Sequence, residues 1–309
     1  MHHFKIHSPV EEIFIPLLSE KNIRLFLKRD DIIHPFISGN KWRKLKYNLI
    51  KAEQEEKTHL VTFGGAWSNH LLATACAAAS YGFKSTAFVR GEDVNNQALF
   101  LCRMFGMELR FTDRESYRDK RSLFDHHFGN DPQAFFIDEG GAGTEAAKGC
   151  AELIEELDRP FSHIFCAAGT GTTAAGIING TASRQPDALV HVIPVLKGAG
   201  FLKDEINKLS LTKQESHSDY RPNYHLHLDY HFGGYAKTTP DLLAFIQEFS
   251  ASTGILLDPV YTGKMMYALL DLIGQDRFSP GTEILAIHTG GLFGLLGMQD
   301  KFGITSSSF

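Results

Sequence analysis

Short apolar runs alternate with longer amphipathic segments through most of the chain, and this alternation predicts its secondary structure. The short runs are rich in β-branched and aromatic residues, which favour strands. Strands are predicted at 59–63, 84–89, 108–111, 134–137, 163–167, 189–195 and 283–288. The longer segments carry apolar residues at helical spacing. Helices are predicted at 68–81, 95–105, 116–127, 144–157, 172–182, 240–250 and 263–273.

The order of these elements predicts the fold class. Strands that alternate with helices form βαβ units, whose parallel sheets are covered by helices on both faces. A chain of 309 residues is longer than one hydrophobic core usually supports, so we expect two α/β domains. The sequence EGGAGT at 139–144 interrupts the pattern and is the expected boundary. The polar stretch 203–224 predicts a loop with a short helix.

Composition and charge exclude several classes of function. The formal net charge of −5 offers no concentrated basic surface for nucleic acid. No apolar run reaches membrane-spanning length, and the first residues lack the layout of a signal peptide. The four cysteines and fifteen histidines show no metal-binding spacing. We therefore expect a cytoplasmic protein from a reducing compartment, without a metal.

A loop rich in glycine and threonine, AGTGTTAAG at 168–176, is the first candidate site. It follows a predicted strand and opens a predicted helix. Glycines let a backbone approach an anion, threonine hydroxyls donate to it, and a helix N-terminus offers free N–H groups. The loop therefore predicts a phosphate site, although a turn without a ligand has a similar composition. Its spacing matches neither the dinucleotide fingerprint nor the nucleotide-triphosphate loop, so the phosphate of a cofactor fits best.

Two further motifs carry reactive side chains. SGNKWRKL at 38–45 places Lys41 at a junction between a loop and a helix, where burial would lower the pKa of the amine and make it a nucleophile. GGAWSNH at 64–70 places Ser68 at the start of a helix. Taken alone, the first motif is more simply a solvated basic cluster, and the second is more simply a helix N-cap.

Together, the motifs resemble those of one enzyme family. In chain order they are KRDD at 28–31, GNKWRKL at 39–45, GAWSNH at 65–70, the loop at 168–176, DPVYTGK at 258–264 and HTGG at 288–291. This ordered set resembles the 1-aminocyclopropane-1-carboxylate deaminase and D-cysteine desulfhydrase group. That group belongs to the tryptophan synthase β-like, fold type II enzymes that use pyridoxal 5'-phosphate. The resemblance covers about residues 28 to 291.

The resemblance implies an architecture. Two open, twisted α/β domains with parallel sheets would hold pyridoxal 5'-phosphate between them. The small domain would span 45–139, and the large cofactor-binding domain would combine 1–44 and 140–309. A small amino acid would be the substrate, and members of the family generally self-associate, so we expect a homodimer.

The resemblance also implies roles for individual residues. Lys41 would hold the cofactor as a Schiff base and then act as the base at the substrate α-carbon. Ser68 would hold the substrate carboxylate or assist proton transfer, and Tyr261 would stack on the pyridine ring. Tyr235 would lie on the substrate side as an acid, a base or a group that positions a nucleophile, unless it is a buried core tyrosine. The residues implied to bind the phosphate are Lys44, Asn69, Gly169, Thr170, Gly171, Thr172 and Thr173.

Two positions depart from the deaminase pattern. The deaminases that open the cyclopropane ring carry a glutamate directly after the stacking tyrosine and a leucine before the Gly-Gly pair. This chain has Thr262 and Thr289 there. A carboxylate beside the pyridine nitrogen keeps it protonated and strengthens the electron sink, whereas a hydroxyl leaves it largely neutral. Thr289 is the candidate partner of that nitrogen, and a weaker sink suits the β-elimination of a thiolate.

We therefore predict a pyridoxal-phosphate-dependent lyase that converts D-cysteine to pyruvate, ammonia and hydrogen sulfide. The first alternative is a deaminase that forms 2-oxobutanoate and ammonia from 1-aminocyclopropane-1-carboxylate. Thr262 and Thr289 disfavour this alternative. A racemase or a dehydratase for another small amino acid stays open. A cofactor-binding regulatory protein without catalysis is the last alternative, and the joint presence of Lys41, Ser68 and Tyr261 disfavours it.

Overall fold

Strands and helices alternate along the parts of the chain that the structure, a computed structural model, describes: residues 6–37, 39–210 and 222–303. The strands are β1 (Val10–Ile13), β2 (Arg24–Lys28), β3 (His59–Gly65), β4 (Lys84–Arg90), β5 (Glu108–Thr112), β6 (Ala134–Phe136), β7 (His163–Ala168), β8 (Leu189–Pro194), β9 (Tyr224–Leu226) and β10 (Glu283–Ile287). The α-helices are α1 (Pro16–Glu20), α2 (Asn40–Gln54), α3 (Asn69–Tyr81), α4 (Gln97–Met104), α5 (Lys120–Phe128), α6 (Thr144–Glu155), α7 (Thr172–Arg184), α8 (Leu202–Leu209), α9 (Pro240–Thr253), α10 (Thr262–Gly274) and α11 (Phe293–Leu296).

The strands form two separate sheets. A four-stranded sheet has the order β5-β4-β3-β6 and is parallel throughout. A six-stranded sheet has the order β1-β2-β10-β7-β8-β9, in which β1 runs antiparallel to β2 and the other pairs are parallel. The α/β class with parallel sheets is thus confirmed. The smaller sheet draws its strands from within 45–139, while the limits of the two domains stay a prediction.

Local capping shifts the ends of two predicted helices. The helix predicted at 95–105 begins after Asn96, whose side chain accepts a hydrogen bond from a backbone amide in the first turn. The helix predicted at 116–127 is divided, because Asp119 caps α5 in the same way and a 3₁₀ turn precedes it. An accepting side chain at the N-cap satisfies an amide that the helix leaves free, and so fixes where the helix starts.

Three strands were not predicted with bounds of their own. The edge strand β1 carries two consecutive glutamates, and β9 has three residues. Between β1 and β10, β2 reads RLFLK, and its Lys28 is buried against Glu156 at 2.9 Å. Charged residues mask the strand pattern where their partners come from distant segments. In the polar stretch 203–224, α8 is the short helix, and residues 211–221 lie outside the described residues.

Close helix packing brings the starts of α2 and α7 together. A Cβ at Gly149 of α6 would lie 1.9 Å from the carbonyl oxygen of Arg43 on α2. A Cβ at Gly176 of α7 would lie 2.4 Å from the carbonyl oxygen of Ala147 on α6. Only glycine permits these backbone contacts. Arg43 is itself fully buried and pairs with the fully buried Asp30 at 2.9 Å, which fixes α2 on the larger sheet.

The structure shows the state of the cysteines and the lengths of the helices. All four cysteines are free and buried. Among the helices of the described residues, none is long and apolar enough to cross a membrane.

Candidate active site

A cleft is lined by the carboxyl end of β7, the starts of α2 and α3, and the turn after β10. In open α/β sheets, ligands bind outside the carboxyl ends of the strands. Ser68, Thr172, Tyr235 and Thr262 are not among the lining residues of the cleft. The predicted site residues that do line it are Lys41, Lys44, Asn69, Gly169, Thr170, Gly171, Thr173, Tyr261 and Thr289.

Lys41 is the second residue of α2, and the turn before the helix fixes its place. Gly39 has a φ of 61°, and a Cβ there would lie 1.8 Å from the carbonyl oxygen of Thr289, so this close approach requires glycine. The Lys41 ammonium donates to the side-chain oxygen of Asn40 at 2.9 Å. Burial, with a smaller contribution from the charge of Lys44, lowers the pKa of Lys41 to about 7. An amine with this pKa is partly neutral at neutral pH and is therefore nucleophilic.

The loop between β7 and α7 has the features of an anion site. Gly171, at the N-cap of α7, has a φ of 85°, and no side chain among the described residues caps the helix. No acidic residue lies in the first turn, so the backbone amides there are not matched by negative charge from that turn. The loop and the start of α7 contain three threonines, of which Thr173 accepts a hydrogen bond from Asn40 at 3.0 Å. The buried Lys44, which donates to the Gly140 carbonyl at 3.2 Å, adds a cation to the same cleft.

Two tyrosines lie at one side of the cleft. A Cβ at Gly169 would lie 3.1 Å from a ring carbon of Tyr261, so glycine lets the ring approach the loop closely. Burial, and then the neighbouring Tyr235, raises the pKa of Tyr261 well above its ordinary value, which keeps the phenol neutral. Tyr235 meets Tyr261 edge to face, with ring centroids 6.2 Å apart, and is 53% exposed. It is therefore not a buried core tyrosine.

Two polar atoms at the start of α3 are buried without a hydrogen-bond partner among the described residues: Oδ1 of Asn69 and Nδ1 of His70. The other ring nitrogen of His70 lies 2.7 Å from the Thr62 hydroxyl. Burial, followed by the charges of Lys41 and Lys44, lowers the pKa of His70 well below its ordinary value, so the ring is neutral. A buried polar atom without a partner is costly, and the Asn69 oxygen in the cleft is therefore suited to contact a ligand.

Ser68 and Thr262 are engaged in local backbone structure. The Ser68 hydroxyl accepts a long hydrogen bond, 3.4 Å, from the Leu71 amide and so caps α3. The Thr262 hydroxyl donates to Asp258 at 2.7 Å and accepts from the Asp258 amide at 2.9 Å. Thr262 is fully buried, so its hydroxyl lies behind the cleft wall, whereas Thr289 belongs to the wall itself.

Two residues near the cleft had no role in the sequence prediction. Asn40 accepts a hydrogen bond from the Lys41 ammonium and donates one to the Thr173 hydroxyl. Its position next to Lys41 in the GNK motif is the sequence feature that could have identified it. Asp258, the first residue of the DPVY motif, is buried and accepts from the amides of Val260, Tyr261 and Thr262 as well as from the Thr262 hydroxyl. It ties the start of α10 into a fixed turn that orients Tyr261.

The residues of the cleft fit one cofactor. They offer a lysine with a lowered pKa, a helix N-terminus with threonines and a second lysine for a phosphate, an aromatic ring, and a buried amide oxygen without a partner. A phosphorylated aldehyde on a flat aromatic ring that carries a hydroxyl meets each of these groups, because the hydroxyl can donate to the amide oxygen. The fold and the site thus define a fold type II enzyme that depends on pyridoxal phosphate.

Comparison with known proteins agrees with this class. The family model described as "Pyridoxal-phosphate dependent enzyme" matches residues 9–290, so the chain belongs to that family. A putative 1-aminocyclopropane-1-carboxylate deaminase from Thermotoga maritima is 31% identical, over 95% of this chain and 96% of the relative. A D-cysteine desulfhydrase from Klebsiella pneumoniae is 30% identical, over 93% of this chain and 92% of the relative. The crystal structure of an ACC deaminase homologue superposes with a TM-score of 0.83 at 28% identity, covering 96% of this chain and 92% of the other.

Proposed function

We propose that the protein catalyses β-elimination on a small amino acid with a thiol leaving group, with D-cysteine as the preferred substrate. D-Cysteine and water would yield pyruvate, ammonia and hydrogen sulfide. One observation supports this choice over the deaminase reaction: the described residues that line the cleft include no carboxylate. The Asp258 carboxylate is already occupied by three backbone amides and the Thr262 hydroxyl.

The lining of the cleft bears on the electronic properties of the cofactor ring. Thr289 would be the partner of the pyridine nitrogen when the cofactor is bound. Without an acidic partner that nitrogen would stay largely neutral, and the ring would be a weaker electron sink. Elimination of a thiolate needs less carbanion stabilisation than opening of a cyclopropane ring, because the leaving group departs readily. The hydroxyl of Thr262 would contribute only through Asp258, since it is hydrogen-bonded to that residue and Thr262 does not line the cleft.

Four residues of this chain would take part in cofactor binding and catalysis. When bound, pyridoxal phosphate supplies a carbon that links to amines and a ring that accepts electrons. Lys41 would bind it covalently, and its amine would later take the proton from the substrate α-carbon. Tyr261 would stack on the ring, Ser68 would hold the substrate carboxylate or pass a proton, and Tyr235 would act on the substrate side.

The phosphate would be held by residues in and beside the cleft that carry donors or positive charge; of these, Thr172 does not line the cleft itself. The amides at the start of α7 and the threonine hydroxyls would donate, and Lys44 would supply positive charge. The residues proposed for this role are Lys44, Asn69, Gly169, Thr170, Gly171, Thr172 and Thr173.

A keto-acid assay tests the proposed reaction. The purified protein with added pyridoxal phosphate is given D-cysteine, L-cysteine and 1-aminocyclopropane-1-carboxylate in separate reactions, and the products are identified by mass. We expect pyruvate and sulfide from D-cysteine, and no keto acid from the Lys41→Ala variant. Formation of 2-oxobutanoate from the cyclopropane alone would replace the proposed reaction by the deaminase, which the name of the Thermotoga relative supports.

We also propose that the protein is a cytoplasmic homodimer. Four free, buried cysteines are typical of a reducing compartment. Leu256 and Leu296, 50% and 41% exposed, line an apolar groove that would suit self-association. Light scattering of the purified protein would give twice the mass of 34.4 kDa if it is a dimer.

A further inference from the structure

The loop that carries Tyr235 has an unusual backbone. Among residues 232–236, four have a positive φ: Phe232 at 50°, Gly233 at 90°, Gly234 at 123° and Ala236 at 54°. Residues other than glycine adopt such angles at a cost, and persist there only when the surrounding structure holds them. The loop therefore requires a strong contact from the rest of the fold.

Lys264 supplies that contact from inside the protein. It lies on α10, three residues after Tyr261, and is fully buried. Its ammonium donates to the carbonyl oxygens of His231 and Gly234, each at 2.8 Å, and lies 3.5 Å from that of Val195. These hydrogen-bond partners are all backbone carbonyls. Because a buried charge must be compensated, the ammonium and the loop carbonyls stabilise each other.

We propose that Lys264 is a positioning residue, which clamps the 231–236 loop and so holds Tyr235 against Tyr261. Tyr235 is half exposed, so no enclosing core fixes its ring, and its place depends on the backbone that carries it. Tyr261 is the N-cap residue of the helix that carries Lys264, so the clamp sets the two tyrosines relative to each other. The inference rests on the proposed function, which places Tyr235 on the substrate side.

Hydrogen exchange tests the clamp without any turnover. Within the loop, the Gly234 amide donates to the His231 carbonyl at 3.0 Å, and the Lys237 amide donates to the Gly234 carbonyl at 3.1 Å. In the Lys264→Met variant, which keeps the length of the side chain but removes the ammonium, these amides should exchange at least tenfold faster. Ile273→Ala is the matched control, because Ile273 is a buried residue at the far end of α10 and its loss weakens the core elsewhere.

The exchange experiment has three distinct outcomes. Faster exchange of the loop in Lys264→Met, but not in Ile273→Ala, supports the clamp. Equal exchange of the loop in Lys264→Met and in the wild-type protein overturns it. Equal acceleration in both variants also overturns it, because the loop would then follow global stability alone.

A kinetic double-mutant cycle tests whether the clamp acts through Tyr235. With D-cysteine, Lys264→Met should lower kcat at least tenfold in the wild-type background, but less than twofold in a Tyr235→Phe background, where the hydroxyl is already absent. The same fold loss in both backgrounds would show that Lys264 does not act through Tyr235. If the wild-type protein does not turn over D-cysteine, the proposed function fails, while the exchange experiment still decides the clamp.

Discussion

Replacing Lys41 by methionine should stabilise the protein when its cofactor has been removed. Burial and the charge of Lys44 lower the pKa of Lys41 from 10.5 to about 7, so the folded state binds this proton less tightly than the unfolded chain does. Such a lysine does not destabilise the folded protein above pH 10.5, its pKa in the unfolded chain, because it is neutral in both states there. The loss of stability grows as the pH falls from 10.5 to about 7, its pKa in the folded state. Below about pH 7 the penalty is constant.

The size of the effect follows from the shift. A difference of 3.5 pKa units, at ~1.4 kcal/mol per unit, gives an upper bound of about 5 kcal/mol at pH 7. The Lys41 side chain is half-buried and reaches into an open cleft. Screening by water reduces the bound, and we expect a gain of about 2 kcal/mol. The gain should shrink by at least ~1 kcal/mol between pH 7 and pH 9.

Urea unfolding of the cofactor-free proteins at pH 7 and pH 9 measures this gain. Lys51→Met is the control, because Lys51 lies on the same helix, is 45% exposed and pairs with Glu145 at 2.8 Å. The pair raises the pKa of Lys51, so its loss should cost up to ~1 kcal/mol and should give no gain at either pH. If Lys41→Met is no more stable than the wild-type protein at pH 7, or if its gain does not depend on pH, the reasoning from burial is wrong.

Three further variants test other parts of the structure. Asp30→Asn should lower the free energy of unfolding by about 3 kcal/mol in urea, because it leaves the buried Arg43 without one of its carboxylates; a loss below 1 kcal/mol would contradict this. Gly169→Ala should weaken cofactor affinity about tenfold in a fluorescence titration, since its Cβ would lie 3.1 Å from Tyr261; unchanged affinity would show that the ring moves freely. Burial and neighbouring histidines lower the pKa of His191 to about 3. Its burial therefore costs no stability above about pH 6.5, where the unfolded chain is also neutral, and the cost grows as the pH falls below that value. Between pH 7 and pH 5 the wild-type protein should lose about 2 kcal/mol through this group, and the same pH slope in His191→Gln would refute the assignment.

The sequence alone determined the local features of this protein. Most of the strand and helix pattern, the loop rich in glycine and threonine at the start of α7 and the position of Lys41 at the start of α2 are encoded by neighbouring residues. Periodicity and turn chemistry act over a few residues, so they can be read without knowing the fold. The ordered motifs added the family, because together they are far more specific than any one of them.

Only the tertiary structure decided which of these residues face one cleft. Lys41, Gly169, Tyr261 and Thr289 come from distant segments, and helix packing through glycines together with sheet order brings them together. Thr262 follows Tyr261 directly but does not line the cleft, because its hydroxyl donates to the buried Asp258 carboxylate. Adjacent residues on a turn or helix point in different directions, so sequence position does not fix which one meets a ligand.

The clamp on the Tyr235 loop shows the same limit most clearly. From the sequence, Lys264 is a lysine in a mostly apolar helix, and such a lysine is ordinarily expected at the surface. The structure buries it, because carbonyl oxygens from Val195, His231 and Gly234 converge on its ammonium. Those carbonyls belong to residues 30 to 69 positions away along the chain. Backbone carbonyls have no signature in the sequence, so a site made from them becomes visible only when the chain has folded.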